Sequence, residues 1–393
     1  MKPLPWIAAS ALLVGGPALV ACGVESTAPT APGEGGDTRA LSVDSSENAC
    51  ELSATEAPAG TISFDVTNSG SQVTEFYLLA EDGLRIVAEV ENVGPSITRA
   101  LVANVPAGSY VTACKPGMTG DGIRSDFTVT ESDDEVAVSA DEDELIQAAQ
   151  DNYGAYVQDQ SDQLLVKTRE FVELYEAGDS DDEARALYAE ARTHWERIET
   201  VAESFGDLDP RMDAREADLE PGQEWTGWHL MEKDLWPARA EAYRALTPAE
   251  RASFGDDLLA NTVTLDGRLQ DLSFTVDQIA NGSRGLLEEV ATGKVTGEEE
   301  YWSRTDLWDF QANVDGARVG FDGVAPLLET KDPELATALD TRFDELQVLL
   351  DAQRTDDGFR YYDEVSPEEI KALSDAVNAL SEPLSRLTAA VLA

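Results

Sequence analysis

A two-domain chain is predicted, with a small all-β sandwich followed by an all-α helical bundle. Three observations predict it. Short alternating apolar runs, broken by turn residues roughly every 8–12 positions, fill residues 50–130. From about Leu145 the apolar period changes from two to that of a helix. The 393 residues are 42% apolar and 7% aromatic, enough to build packed cores.

Charge narrows the function before any motif does. There are 77 acidic and 28 basic residues, a net charge of 28 − 77 = −49. Nucleic acid and anionic membrane surfaces would repel such a chain. Most of the excess reads as solvated surface; the rest suits a protein that handles cations.

The elements follow in chain order. Lys2 precedes an apolar stretch at residues 7–20, too short to stay as a spanning helix. It ends in Leu19-Val20-Ala21-Cys22, which resembles the bacterial lipobox. That resemblance implies a signal peptide over residues 1–21, lipidation of Cys22, and tethering outside the cytoplasmic membrane by acyl chains. Residues 22–47 are rich in Ser, Thr, Ala, Gly and Pro and read as a flexible linker.

Residues 48–131 carry the strands. Thr61-Ile62-Ser63-Phe64-Asp65-Val66 alternates and stops at Asn68-Ser69-Gly70; Glu75-Phe76-Tyr77-Leu78-Leu79 stops at Glu81-Asp82-Gly83. Further strands are expected at 84–90, 97–105, 110–113 and 126–129, in a sandwich or Greek-key barrel. Cys50 and Cys114 share this domain. Outside the cytoplasm two such cysteines usually pair, and closing so long a loop contributes up to ~4–5 kcal/mol.

An acidic linker spans 132–144, and the helical domain 145–393. Leu164, Leu165, Thr168, Phe171, Val172 and Tyr175 share a face that ends at Gly178. Four capping boxes start later helices: Ser180 with Glu183, Thr247 with Glu250, Thr296 with Glu299, and Ser366 with Glu369. Pro248 and Pro367 occupy first helical positions, where a missing N–H does no harm.

Only two histidines exist, His194 and His229. HExxH, GxSxG, P-loop and strand-linked GxGxxG patterns are all missing. A Cys–His nucleophilic pair is not expected, since the β domain that holds Cys50 and Cys114 has no histidine. His229 and Glu232 form an HxxE on one helix face, where both can reach one cation or simply hydrogen-bond each other. Glu196 and Glu199 have the same spacing and are either a solvated acidic face or a buried pair needing a counter-charge. His194 falls roughly 140–200° around the helix from both and points elsewhere.

Long motifs in this region resemble the EfeO family of iron-uptake lipoproteins. They are Ala191-Arg192-Thr193-His194-Trp195-Glu196-Arg197-Ile198-Glu199, the stretch from Val201 to Pro210, Asp213-Ala214-Arg215-Glu216, Gly227 to Trp236, Thr296 to Glu299, and Arg304 to Asn313. The helical domain is similar to the imelysin-like (M75) domain, and the β domain resembles the family's cupredoxin-like module. The resemblance implies a metal site formed by Glu196, Glu199, Asp213, His229 and Glu232, with Asp306 and Asp309 as a second acidic wall. One imidazole among carboxylates is a hard donor set that suits Fe(III) or Fe(II), with Mn(II), Zn(II) and Cu(II) as competitors. A blue-copper centre is excluded, because it needs two histidines in the β domain. There the resemblance implies a second metal site at Cys50, Glu75 and Cys114, with Glu89 and Glu91 nearby. Tyr77 stands where relatives carry another acid, which favours a disulfide instead.

The expected function is that of a non-enzymatic, lipid-anchored, extracytoplasmic iron-binding component of an EfeUOB-type uptake system. Its implied partners are an EfeU-like membrane permease and an EfeB-like haem peroxidase of the DyP type. The alternatives are a Zn-dependent M75-type metallopeptidase and a surface lipoprotein that binds another ligand.

Overall fold

The computed structural model describes residues 38–132, 139–178, 181–219, 222–270 and 272–393. The expected signal segment, Cys22 and Ser180 lie outside the described residues.

Alternation of apolar side chains builds two facing sheets. The strands are β1 (Ala40–Ser45), β2 (Cys50–Leu52), β3 (Glu56–Pro58), β4 (Gly60–Asn68), β5 (Thr74–Leu79), β6 (Ile86–Val93), β7 (Thr98–Val105), β8 (Gly108–Cys114) and β9 (Ile123–Thr130). One sheet runs β2-β1-β4-β7, the other β3-β9-β8-β5-β6. Phe64, Phe76 and Phe127 meet between them, with ring centroids 5.3 and 5.6 Å apart. Edge-to-face packing of such rings adds to the area they bury. A disulfide joins Cys50 and Cys114 across the core, with Cα atoms 5.6 Å apart.

Two expectations change here. The linker expected over 22–47 gives way to strand at Ala40: Leu41 and Val43 are buried on alternate positions, and β1 pairs in parallel with β4. Two apolar residues among serines and an aspartate were too weak a pattern to stand out. The acidic linker expected over 132–144 is shorter than supposed. Helix α1 (Ala140–Ala177) starts at Ser139, whose side chain accepts from the Glu142 amide. Its early acids complement the positive end of the helix.

The bundle continues through α2 (Asp181–Glu196), α3 (Glu199–Glu203), α4 (Asp209–Met212), α5 (Trp228–Leu235), α6 (Pro248–Leu269), α7 (Val276–Thr292), α8 (Asp306–Lys331), α9 (Pro333–Asp351), α10 (Pro367–Leu384) and α11 (Leu387–Leu392). Thr247 and Ser366 form capping boxes with Glu250 and Glu369. The Thr296–Glu299 box does not form. Thr296 ends a 3-10 turn, Gly297 follows at φ +75°, and residues 297–305 are irregular. A short hairpin pairs Arg354–Thr355 with Gly358–Phe359 inside the otherwise helical region. Among the described residues no helix is long and apolar enough to cross a membrane.

The β domain docks on the bundle through its β6–β7 side. Asp277 on α7 accepts from the Asn104 amide at 2.8 Å, and Asn281 donates to Val102 O at 3.0 Å. Arg99 pairs with Glu288. A cleft of about 560 Å³ separates the outer face of β5 and β8 from α3, α4 and α7.

Candidate metal centre

Helix periodicity places polar residues where a core is expected. On α2, Tyr188, Arg192, Trp195 and Glu196 share the buried face, and Arg192 and Glu196 are fully buried. The helix ends at Glu196, and Glu199 begins α3, so the expected continuous helical face is broken at residues 197–198. The break turns Glu199 to the cleft, which it lines. Gly227, at φ +87°, starts α5 against the carbonyls of Met212 and Arg211, where any Cβ would collide. That crossing brings Asp213, which follows α4, beside His229 on α5.

His229 is 1% exposed and meets acids on both sides of its ring. Nε2 lies 3.4 Å from both Asp213 Oδ1 and Glu299 Oε1. Nδ1 lies 3.5 Å from Glu232 Oε2 and 3.8 Å from Glu300 Oε1. Both ring nitrogens and Glu232 Oε2 are buried and make no hydrogen bond to the described residues. The other Glu232 oxygen accepts from the Trp302 and Ser303 amides at 2.7 and 2.6 Å.

Arg192 contacts Glu196, Asp213, Glu299, Glu300 and Asp309. Lys294, 1% exposed, donates to Glu199 Oε1 and Oε2 at 2.8 and 2.9 Å, and its Nζ lies 3.1 Å from Glu196 Oε2. Asn313 on α8 donates to Glu199 Oε2 at 2.8 Å and to Glu196 O at 2.7 Å. Asp309 is fully buried beside Arg192, and Asp306 Oδ1 accepts from the Glu300 amide at 3.1 Å.

Eight carboxyl groups therefore face three fixed cations, Arg192, Lys294 and Arg215 on Glu299. Protons make up part of the deficit. Burial and the Arg192 charge oppose ionisation of His229, yet Glu232, Glu299 and Asp213 push it up to about 9. Burial alone would raise Asp213, but Arg192 and His229 pull it below the usual carboxylate range. Glu299 is held well below that range against its burial, mainly by Lys294 and His229. Burial pushes Asp306 up to about 7, and burial with the neighbouring Glu196 charge pushes Asp309 well up.

The residues present fit a hard cation. Asp213, His229 and Glu299 place ligand atoms within 4.8 Å of one another, as do Glu196, Glu199, Asp213 and Glu299. His229, Glu232 and Glu300 form a separate group on the other ring nitrogen. An ion on Nε2 is thus on the far side of the imidazole from Glu232.

Comparison with known sequences bears on the same segments. The family model described as imelysin, peptidase M75, matches residues 149–387. The proteins named iron uptake system component EfeO from Escherichia coli K12, Escherichia coli O157:H7 and Shigella flexneri are each 34% identical over 357 residues. The match covers 89% of this chain and 91% of each relative. The chain belongs to the EfeO family.

In this EfeO-family protein, sequence reasoning missed Glu299, Glu300, Arg192 and Lys294. Glu299 was assigned to a helix cap; the other three carried no spacing signal. His194 points away as expected, with Nδ1 2.9 Å from Gln160 Oε1 and burial pulling it down to about 4. Of the two readings open at Cys50, Glu75 and Cys114, a metal site or a disulfide, the disulfide is the one that forms. The two sulfurs are bonded to each other. Cys114 and its cross-strand partner Phe76 face the sandwich core, whereas Glu75 lies one position away, on the opposite face of β5. There it accepts from the Tyr77 hydroxyl at 2.5 Å. Tyr77 pairs across β5–β6 with Glu89.

Proposed function

We propose that this EfeO-family protein captures iron outside the cytoplasmic membrane and holds it on His229 Nε2. Asp213, Glu299 and Glu199 supply oxygen ligands from the cleft side, and Glu196 supplies one from the buried side. The observation that carries this reading is a buried imidazole with no hydrogen-bond partner among the described residues, set among carboxylates that also line an open cleft. Unpaired polar atoms at such depth are costly unless a ligand satisfies them. Ligand type supports the cargo: one nitrogen among carboxylates favours Fe(III) or Fe(II) over soft cations. The relatives' name, iron uptake system component, points the same way.

On this reading Glu232 orients the ring. A metal-bound histidine commonly donates its other N–H to a carboxylate, and Glu232 Oε2 faces Nδ1. Lipidation of Cys22 keeps the protein at the membrane, and the captured iron passes to an EfeU-like permease, with an EfeB-like haem peroxidase as a further partner. No turnover is required, so the protein is a carrier and not an enzyme.

Calorimetry tests this on protein lacking residues 1–22, titrated with Fe(II) under anaerobic conditions, chelated Fe(III), Zn(II) and Cu(II). Saturable iron binding lost in His229→Ala and weakened in Asp213→Asn is expected. Unchanged affinity in His229→Ala sinks the assignment. Metal-dependent cleavage of a broad peptide library would favour the peptidase reading that the family's name carries.

A further inference from the structure

Lys294 does more than balance charge. Its ammonium has three protons and faces three carboxylate oxygens, two on Glu199 and one on Glu196, at 2.8 to 3.1 Å. That is how a small cation is held. The same two carboxylates belong to the group with Asp213 and Glu299 whose oxygens lie within 4.8 Å of one another. A lysine tethered to the 3-10 turn Lys294–Thr296 therefore occupies part of the space an incoming ion needs.

We propose that Lys294 is a built-in competitor for the cation. In the ion-free protein its ammonium takes the Glu196–Glu199 pair, and an arriving ion must displace it to gain those oxygens. This inference rests on the cation centre proposed above. The displaced ammonium has another carboxyl group nearby outside the proposed ligand set, Glu289, which also lines the cleft. Glu199 lines it too, so displacement opens the pair toward solvent. The arrangement selects for charge: a singly charged ion gains little by replacing an ammonium, whereas a doubly or triply charged one gains from every oxygen. It also keeps retention moderate, which suits a carrier that must release its cargo.

The test compares wild type with Lys294→Met. A site free for only a fraction of the time binds more weakly by that fraction, so removing the competitor should tighten Fe(II) binding at least about tenfold. Ion-free Lys294→Met should melt at lower temperature than wild type and gain more from Fe(II). If the variant folds only with Fe(II) present, the ion has taken the ammonium's place, which also supports the proposal. Wild type offers a reading without mutation: acetylation of Lys294 by an amine reagent, read by peptide mass spectrometry, should rise severalfold once Fe(II) saturates the protein. Equal binding by variant and wild type, including none by either, overturns the proposal, as does labelling indifferent to Fe(II). Wild type that binds no iron beside a variant that does would refute the proposed function and uphold the competitor.

Discussion

Replacing Glu232 separates its two tasks. One oxygen accepts from the Trp302 and Ser303 amides and pins residues 297–305; the other faces His229 Nδ1. In Glu232→Gln the two amides can be met only by the new carbonyl oxygen, so the NH2 must turn to Nδ1. The imidazole then accepts there and carries its proton on Nε2, where the ion has to bind. Disturbing such an outer partner weakens metal binding about 10–100-fold, or roughly 1.4–2.7 kcal/mol. The fold changes little, because the two bonds survive in weaker, uncharged form. Glu232→Ala also leaves two buried amides without acceptors, at about 1–3 kcal/mol each. We expect it to be about 2–6 kcal/mol less stable than wild type. Calorimetry with Fe(II) and urea unfolding measure the two effects. Wild-type affinity in Glu232→Gln refutes the tautomer argument, and complete loss of binding makes Glu232 itself a ligand. Equal stability of the two variants refutes the pinning.

Below about pH 9 His229 carries a proton in the ion-free protein, so iron uptake should release it. Calorimetry in buffers of different ionisation enthalpy should detect that proton, with affinity rising up to about tenfold per pH unit toward pH 9. The raised pKa also means that His229 stabilises the ion-free fold fully below about pH 6.5 and loses this effect as pH rises through about 9; urea unfolding of wild type against His229→Gln checks the sign. Removing the disulfide with Cys50→Ser and Cys114→Ala, whose partners are 64 positions apart, should cost about 4 kcal/mol in unfolding free energy. Gly227→Ala forces a Cβ onto the Met212 and Arg211 carbonyls at φ +87°, so it should lose more than about 1 kcal/mol and weaken Fe(II) binding by shifting Asp213 from His229.

Where local pattern dictated structure, the sequence was readable. The Thr61 to Val66 alternation became β4, and the Thr247 and Ser366 boxes start α6 and α10. His229 and Asp213 were legible through the motifs that carry them, and the structure places them 3.4 Å apart. What stayed hidden depends on contacts between distant segments. A lysine 95 positions from Glu199 cannot be paired with it by spacing. Thr296-Gly297-Glu298-Glu299 has the form of a capping box, but Gly297 turns left-handed against the Tyr362 ring, and Glu299 turns to His229 instead. The Glu196–Glu199 spacing leaves open a solvated face or a buried pair in need of a counter-charge; both residues are buried, and the counter-charge they share is an ammonium.

Residues 297–305 supply Glu299 and Glu300 from chain that belongs to no helix or strand. Their backbone is held from outside, by Glu232, by Asp306 and by Arg239 on the Trp302 and Ser303 carbonyls. Changes at His229 or Glu196 must be absorbed by a packed helix. Changes at Glu299 or Glu300 also meet Arg192 on α2, but their own backbone belongs to no helix. On the reading proposed above, variation that retunes the protein from one metal to another has its easiest route through this segment, and descendants that part ways in cargo should diverge here while their bundles stay alike.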